Sequence, residues 1–254
     1  MELDLRFTAA SILVGYAVAA TLERSPALRL RESKFWRRFF ATDVAWYLSA
    51  VVVTLAFAPF FEALAGRRAA LGLPGLETLE IPWWAHVALA TVLYDLGATA
   101  AHRLLHRSDA LWRLHKVHHS SRVLDWLATT RAHALEHLAR GIPTQAMLFL
   151  LGAPASAVAA AIAVYAGFAT FGHSNLRLPL SRLEWLLVTP RIHHLHHAPE
   201  TTHQNFGTVF TLWDRALGSF VGGEANEHEV LGVPGEVEEY PQTWLRQWLE
   251  PFRR

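Results

Sequence analysis

The chain has 254 residues, of which 52% are hydrophobic and only 18% are charged, and its formal net charge of +1 gives no sign of a nucleic-acid-binding protein. It contains no cysteine, which excludes disulfides, thiolate metal sites, iron–sulfur clusters and a cysteine nucleophile. Any bound metal ion must therefore be held by nitrogen and oxygen ligands.

Three apolar segments predict membrane spans at about 7–22, 44–61 and 82–101. Each approaches the roughly 20 apolar residues that a bilayer crossing needs. Residues 1–6 are net negative, unlike the start of a signal peptide, so the first segment is expected to be retained. Basic residues follow the first and the third segment, and the positive-inside rule places both of these regions in the cytoplasm.

The longest uncharged stretch, 142–172, predicts a helical hairpin. Pro143 and a Gly-Ala-Pro turn at 152–154 divide it into pieces of about 15 and about 27 Å at 1.5 Å per residue, too short for two crossings of a core of about 30 Å. A hairpin that dips into the membrane and returns keeps the histidines before and after it on one face. The Ala- and Arg-rich composition favours a bacterial inner membrane.

Histidine is concentrated in one part of the chain, where 13 of the 15 residues lie between His102 and His203. Three runs share a spacing of three or four residues, which puts their imidazoles on one helix face. They are His102 and His106, then His115, His118 and His119, then His193, His196 and His197. Because one ion accepts only about four to six ligands, this number of imidazoles predicts two adjacent metal ions.

Together these features predict one all-α integral membrane domain, 1–254, with about three spans and a re-entrant or short helical hairpin. A cytoplasmic, histidine-rich helical cap, formed by 102–137 and 173–220, is expected to hold the dimetal site. A ligating histidine usually donates its other N–H group to a carboxylate or a carbonyl. Candidates for that supporting or catalytic role are Asp95, Glu136 and Asn175, followed by Asn205 and Asp214.

Further motifs accompany the histidine runs in a fixed order. They are His102-Arg-Leu-Leu-His106, Leu111-Trp-Arg-Leu-His115-Lys-Val-His-His119-Ser-Ser121, Arg131-Ala-His133-Ala-Leu-Glu136, His173-Ser-Asn175, Thr189-Pro-Arg-Ile-His193-His-Leu-His-His197, Asn205-Phe-Gly207 and Trp213-Asp-Arg215. From about Asp95 to Phe220, the chain resembles the fatty acid hydroxylase/sterol desaturase superfamily of integral-membrane di-iron oxygenases.

The resemblance implies a ligand set of nine histidines, His102, His106, His115, His118, His119, His173, His193, His196 and His197. His133 is a tenth candidate, and His194 is left out because it lies about 100° around the helix from His193. The implied metal ions are two irons, which zinc can replace on overexpression.

The resemblance also implies a reaction in which O₂ serves to hydroxylate or desaturate a lipid held in the bilayer, such as a sterol, a fatty acyl chain, a carotenoid or an ether lipid. The sequence contains no G-x-G-x-x-G run for a flavin or nicotinamide. Electrons are therefore expected from an external donor, a cytochrome-b-type protein, a ferredoxin or a reductase.

Two other functions compete with this interpretation. His133-Ala-Leu-Glu136-His137 matches the H-x-x-E-H pattern of inverted zinc peptidases, in which the glutamate serves as general base. That reading predicts a membrane zinc hydrolase but leaves the three histidine runs unexplained. A metal carrier is the other alternative, although carriers place their polar groups near the middle of the membrane.

Overall fold

The computed structural model describes residues 5–34, 36–222 and 230–253; residues 1–4 of the acidic leader lie outside them. Over these ranges the chain forms helices and loops, with two isolated β-bridges and no strand. The prediction of an all-α fold is confirmed.

The described residues contain ten α-helices in chain order, several of them only one or two turns long. They are α1 (Leu5–Leu22), α2 (Phe40–Ala70), α3 (Trp83–Arg107), α4 (Asp109–His119), α5 (Ala134–Glu136), α6 (Ile142–Leu150), α7 (Ala155–His173), α8 (Pro190–His197), α9 (Leu212–Ala216) and α10 (Trp244–Leu249). A π-helical turn, His137–Gly141, joins α5 directly to α6.

The predicted apolar segments lie inside helices, but α2 runs on to Ala70, past the predicted end at residue 61. Its last turns are rich in alanine, a strong helix former, which explains the continuation. Arg68 in the last turn then donates hydrogen bonds to the Leu73 carbonyl and to Glu77, so the chain folds back directly after the helix.

Two of the described helices, α2 and α7, are long and apolar enough to cross a membrane. Along α2, Leu48, Val52 and Leu55 are each more than half exposed, a surface that suits contact with lipid. The apolar part of α1, Thr8–Leu22, is shorter. The predicted hairpin consists of a short arm, α6, and an arm, α7, that has the length of a full span, so the number of crossings stays a prediction.

Helix α3 lies at the centre of the bundle and packs against α4, α6 and α7, while α1 packs against α7. The apolar core between these helices includes Tyr94, Leu148 and Val158. Gly97 on α3 allows α6 to approach, because a Cβ atom at this position would lie 3.1 Å from the Met147 Cε atom. This packing fixes the ends of α3, α4 and α7 relative to one another.

Candidate metal centre

The histidine-rich segments meet where four helices end. α3, α4, α7 and α8 carry these histidines within their last two turns and end at residues 107, 119, 173 and 197. The C-terminal end of a helix carries a partial negative charge, which stabilises a nearby cation. The helix ends and the imidazoles they present therefore favour the same kind of ligand, a positively charged ion.

Among the described residues, nine buried histidines form two groups in which the potential ligand nitrogens of each group lie within 4.8 Å of one another. The first group is His102, His106, His115, His119 and His196, and the second is His118, His173, His193 and His197. These are the nine histidines of the predicted ligand set, although their role as ligands stays a prediction.

The two groups adjoin, and two of the three helical runs contribute to both of them. His118 belongs to the second group, whereas its neighbours His115 and His119 belong to the first. The ring centroids of His115 and His118 are 5.1 Å apart, and those of His119 and His197 are 4.5 Å apart. The arrangement therefore offers two neighbouring metal positions.

Backbone carbonyls fix the tautomers of four of these rings. A carbonyl oxygen can only accept a hydrogen bond, so the Nδ1 atom facing it carries the proton and the Nε2 atom carries a lone pair. These pairs are His102 with Phe206 (2.8 Å), His118 with Arg131 (3.0 Å), His173 with Ala169 (2.7 Å) and His196 with Gln204 (2.6 Å).

Unprotonated nitrogens consequently face each other inside the cluster. The Nε2 atoms of His118 and His173 are 3.2 Å apart, and neither has a proton to donate to the other. The Nε2 atom of His196 is buried without a hydrogen-bond partner. Converging lone pairs repel one another unless a cation lies among them, and neutral imidazole is a ligand for iron, zinc, copper and nickel. The residues therefore fit a pair of nitrogen-bound metal ions.

Metal binding requires neutral imidazoles, and three histidines of the cluster are held in that form. Burial, joined by the nearby His115, lowers the pKa of His196 to about 3. Burial and the neighbouring rings likewise lower the pKa of His118 and His119 far below the ordinary value of a histidine. At neutral pH these rings carry no positive charge that would compete with a metal ion.

Glu136 is the predicted supporting residue that touches the cluster. One of its carboxylate oxygens lies 3.0 Å from the Nδ1 atom of His115, a contact that favours a proton on Nδ1 and turns the Nε2 atom of His115 toward the cluster. That atom faces the unprotonated Nε2 atom of His102 at 3.0 Å. Arg131, whose carbonyl orients His118, is itself fixed by an ion pair with Asp43 on α2.

Asp95 and Asn175 lie near the cluster without touching its rings. Buried Asp95 accepts the N–H groups of Val209 and Phe210 and the indole N–H of Trp213, at 2.9 to 3.0 Å. It therefore fixes the loop whose carbonyl at Phe206 orients His102. Asn175 follows the end of α7; its side chain accepts the backbone N–H of Arg31, in the segment after α1, and donates to the Arg31 carbonyl.

The remaining candidates have local structural roles. Asp214 accepts the N–H groups of Phe206 and Gly207, and Asn205 donates to the Val221 carbonyl from a backbone with φ of 55°. Both stabilise the turn before α9. His194 faces the Ser174 carbonyl and a nitrogen of Arg31, away from the two groups.

The structure does not bring His133 into either group. Its Nδ1 atom accepts the backbone N–H of Leu135, and its ring packs between Trp46 and Trp248. It caps the start of α5, a position set by the extended backbone that enters this helix. His137, the other histidine of the H-x-x-E-H motif, is also absent from the two groups, so no observation favours the zinc hydrolase.

A cavity of about 170 Å³ adjoins the cluster. It is lined by His102, His118, His173 and His193, and also by Arg140 and Tyr165, which the sequence analysis did not identify. A signal for Arg140 was present, because this arginine directly precedes the longest uncharged stretch of the chain, where a charged residue is a candidate for function.

Comparison with known proteins identifies a matching family and several similar proteins. The family model described as fatty acid hydroxylase matches residues 87–219. The chain is 32% identical to ornithine lipid hydroxylase OlsE of Rhizobium tropici over 66% of its own length and 50% of the relative. It is 28% identical to alkylglycerol monooxygenase of Danio rerio, over 67% of its own length and 40% of the relative.

A third relative is very-long-chain aldehyde decarbonylase GL1-1 of Oryza sativa subsp. indica, which is 29% identical over 66% of this chain and 29% of the relative. The chain thus spans half or less of the length of these curated relatives. No solved structure matches it.

Proposed function

The chain belongs to the fatty acid hydroxylase family, and on that premise we propose that it is a membrane-bound oxidoreductase that uses two iron ions and O₂ to hydroxylate or desaturate a C–H position of a lipid. The proposal places the metal site at the cytoplasmic face of a bacterial inner membrane. Hydroxylation is the preferred outcome, because the similar proteins carry the names lipid hydroxylase and monooxygenase.

The observation that carries the proposal is the set of unprotonated imidazole nitrogens that converge without hydrogen-bond donors between them. Four backbone carbonyls take up the N–H groups of four rings, so each of these rings directs its Nε2 lone pair inward, and Glu136 lies against the Nδ1 atom of a fifth ring, His115. Nine imidazoles in two adjoining groups suit two ions. Bound iron would supply the activation of O₂, which no protein side chain provides.

The residues of the chain supply orientation and the exclusion of water. His102 and His118 are held in one tautomer by the carbonyls of Phe206 and Arg131, and each carbonyl belongs to a segment fixed by a buried carboxylate, Asp95 or Asp43. The cluster is buried, and the cavity beside it admits a small part of a substrate next to the histidines. A C–H bond can therefore approach while bulk water is kept out.

The reaction needs two electrons from outside. O₂ takes up four electrons on reduction to water, and oxidation of one C–H bond to an alcohol supplies two, with one oxygen atom entering the product and the other leaving as water. We propose an electron carrier as the source of the other two, a cytochrome-b-type protein, a ferredoxin or a reductase.

The proposal is tested by comparing lipid extracts of cells that produce the wild-type chain or the variants His118→Ala and His86→Ala. His86 is a buried histidine near the start of α3, far from the cluster, and serves as the matched control. We expect a lipid with one added oxygen atom, or with two hydrogens fewer, in the wild type and in His86→Ala but not in His118→Ala. Mass spectrometry identifies the product.

A second measurement uses the purified protein, reconstituted with Fe(II) without air. The proposal predicts O₂ uptake that depends on both a reductant and the lipid. Identical lipid extracts from all three strains, together with no O₂ uptake by the iron-loaded protein, would contradict it.

A further inference from the structure

Arg140 is a mostly buried cation in the wall of the cavity beside the histidine cluster, and nothing in the proposed reaction so far makes use of it. Its side chain is 19% exposed to solvent, and it lines the cavity together with His102, His118 and Tyr165. Charged side chains within apolar surroundings are costly and are retained where they pair or act on a ligand.

The partners of Arg140 leave much of its hydrogen-bonding capacity unused. A guanidinium group has five N–H donors. In the described part of the chain, the Tyr165 hydroxyl accepts one of them, and the nearest oxygen of Glu136 lies 3.8 Å away, beyond hydrogen-bond distance. That Glu136 oxygen lies closer to His115, 3.0 Å from its Nδ1 atom. Arg140 therefore presents donors toward the cavity.

The local backbone explains how Arg140 comes to be there. It lies in the π-helical turn His137–Gly141, just before Pro143. Proline has no N–H to donate to the carbonyl four residues earlier, and its ring collides with that carbonyl, which widens the preceding turn. π-helical turns of this kind occur often at functional sites.

The size of the cavity limits what reaches both Arg140 and the metal ligands. About 170 Å³ is close to the roughly 150 Å³ that hold a single benzene molecule in an engineered protein cavity. Only a few heavy atoms of a lipid fit. Because the cavity wall includes histidines of both groups as well as Arg140, the carbon that reacts and the atom that Arg140 binds belong to the same short piece of the substrate.

We propose that Arg140, together with Tyr165, binds a hydrogen-bond-accepting oxygen of the substrate and so directs oxidation to a C–H position within a few bonds of that oxygen. The substrate class is a lipid that enters the cavity by its oxygen-bearing end, with a carboxylate, ester, ether or phosphate oxygen. A pure hydrocarbon such as a carotene lacks that atom. This inference rests on the proposed function, because it concerns the substrate of the same site.

The hydrocarbon part of such a lipid has a place outside the cavity. A cleft of about 300 Å³ lies between α1 and α2, with Ile12, Val51 and Leu55 in its wall. It shares Thr129 and His137 with the cavity, so the two spaces meet at these residues. An alkyl chain in the cleft and an oxygen at Arg140 would leave the intervening carbons beside the histidines.

The test is a binding measurement that does not depend on oxygen chemistry. The full chain is purified in detergent and loaded with zinc, and the binding of radiolabelled hexadecanoic acid, 1-O-hexadecylglycerol and hexadecane is compared. Variants are Arg140→Gln, Tyr165→Phe and the control Arg246→Gln, which removes a charge from an exposed position on α10. The metal content and the thermal transition of each variant are measured in parallel.

A hydrogen bond to a charged group is worth about tenfold to 100-fold in affinity. We expect Arg140→Gln to bind the two oxygen-bearing probes about tenfold to 100-fold more weakly, with unchanged binding of hexadecane, while Arg246→Gln behaves as the wild type. If only hexadecanoic acid is affected, the oxygen is a carboxylate; if both probes are affected, the subsite also accepts neutral oxygens.

Equal binding of all three probes by the wild type, or unchanged binding by Arg140→Gln, overturns the inference. If Arg140→Gln loses its metal ions or fails to fold, Tyr165→Phe decides. This variant keeps the positive charge of Arg140, and we expect it to bind the oxygen-bearing probes about two- to tenfold more weakly. Unchanged binding would overturn the inference. If the iron-loaded wild type consumes no O₂ but the three probes bind in the expected pattern, the proposed function is refuted and the inference about Arg140 is not.

Discussion

The Nε2 atom of His118 lies 3.2 Å from the Nε2 atom of His173, although each ring already donates its Nδ1 proton to a backbone carbonyl. Two unprotonated nitrogens at this distance do not form a hydrogen bond. In the other group, the unprotonated Nε2 atom of His102 lies 3.0 Å from the Nε2 atom of His115. Repulsion between the lone pairs of His118 and His173 is relieved when a cation binds, and this is the physical basis of the dimetal proposal.

Glu136 is expected to control the affinity of the first group for metal. Its carboxylate lies 3.0 Å from the Nδ1 atom of His115, a contact that orients the ring and raises the basicity of the other nitrogen. We expect Glu136→Gln to weaken metal binding by about 10- to 100-fold. Competition with a chelator of known affinity measures the effect.

The control for this experiment is Glu238→Gln, since Glu238 forms an exposed ion pair with Arg122. Its affinity for metal should equal that of the wild type. Equal affinities in Glu136→Gln and Glu238→Gln would show that the carboxylate at 136 has no influence on His115.

Asp95 is expected to act on stability through the loop it binds. It accepts three hydrogen bonds of 2.9 to 3.0 Å from Val209, Phe210 and the Trp213 indole. Asn at this position presents an NH₂ group to N–H donors, so buried donors lose their acceptor at a cost of about 1–3 kcal/mol each. Asp95→Asn should therefore lower the midpoint of thermal unfolding markedly, whereas Asp109→Asn, at an exposed position, should change it little. Similar midpoints in the two variants would argue against this role.

Replacement of His133 is expected to affect stability and not metal binding. Because its ring is bonded to the Leu135 N–H and packed on Trp46 and Trp248, we expect His133→Ala to retain the full metal content and to lose stability. The lost cap and packing correspond to roughly 1–3 kcal/mol. Elemental analysis and thermal unfolding separate the two effects, and a fall in metal content would return His133 to the ligand set.

Glu23, directly after α1, predicts a pH dependence of stability. Burial raises the pKa of this carboxyl to about 8, even though it accepts the N–H groups of Trp126 and Asn175. The folded chain therefore keeps a proton that the unfolded chain releases above about pH 4.5. The contribution of Glu23 to stability is full below about pH 4.5, falls as the pH rises to about 8 and is constant above that.

The direction of this pH dependence can be checked with Glu23→Gln, which keeps an acceptor oxygen and does not titrate. The difference in thermal midpoint, variant minus wild type, should increase between about pH 4.5 and pH 8. Glu32→Gln, at an exposed position, should show no such trend. A difference that is independent of pH would mean that Glu23 titrates normally in the folded chain.

The sequence predicted the helical fold and the nine clustered histidines because both depend on local spacing. Residues at i, i+3 and i+4 share a helix face whatever the rest of the chain does. Spacing does not tell which metal ion each residue would bind. His118 is separated from His115 and His119 because its ring contacts His173 at the end of α7, whereas the other two rings contact His106 on α3.

The roles of Asp95, Asn175 and His133 were not predictable in the same way. Asp95 shares a helix face with His102, which suggested a direct contact, but its carboxylate is bound by backbone N–H groups more than 100 residues away. Such contacts depend on the tertiary path of a loop. Arg140 belongs to no motif, and its importance follows from the cavity that it lines.

The most direct test of the account is the number of iron ions per chain after reconstitution with Fe(II) without air, measured by elemental analysis. We predict two in the wild type and in His86→Ala, and about one in each of His118→Ala and His196→Ala, because these residues belong to different groups. One iron or fewer in the wild type, or two in both cluster variants, would contradict the dimetal site and with it the proposed reaction.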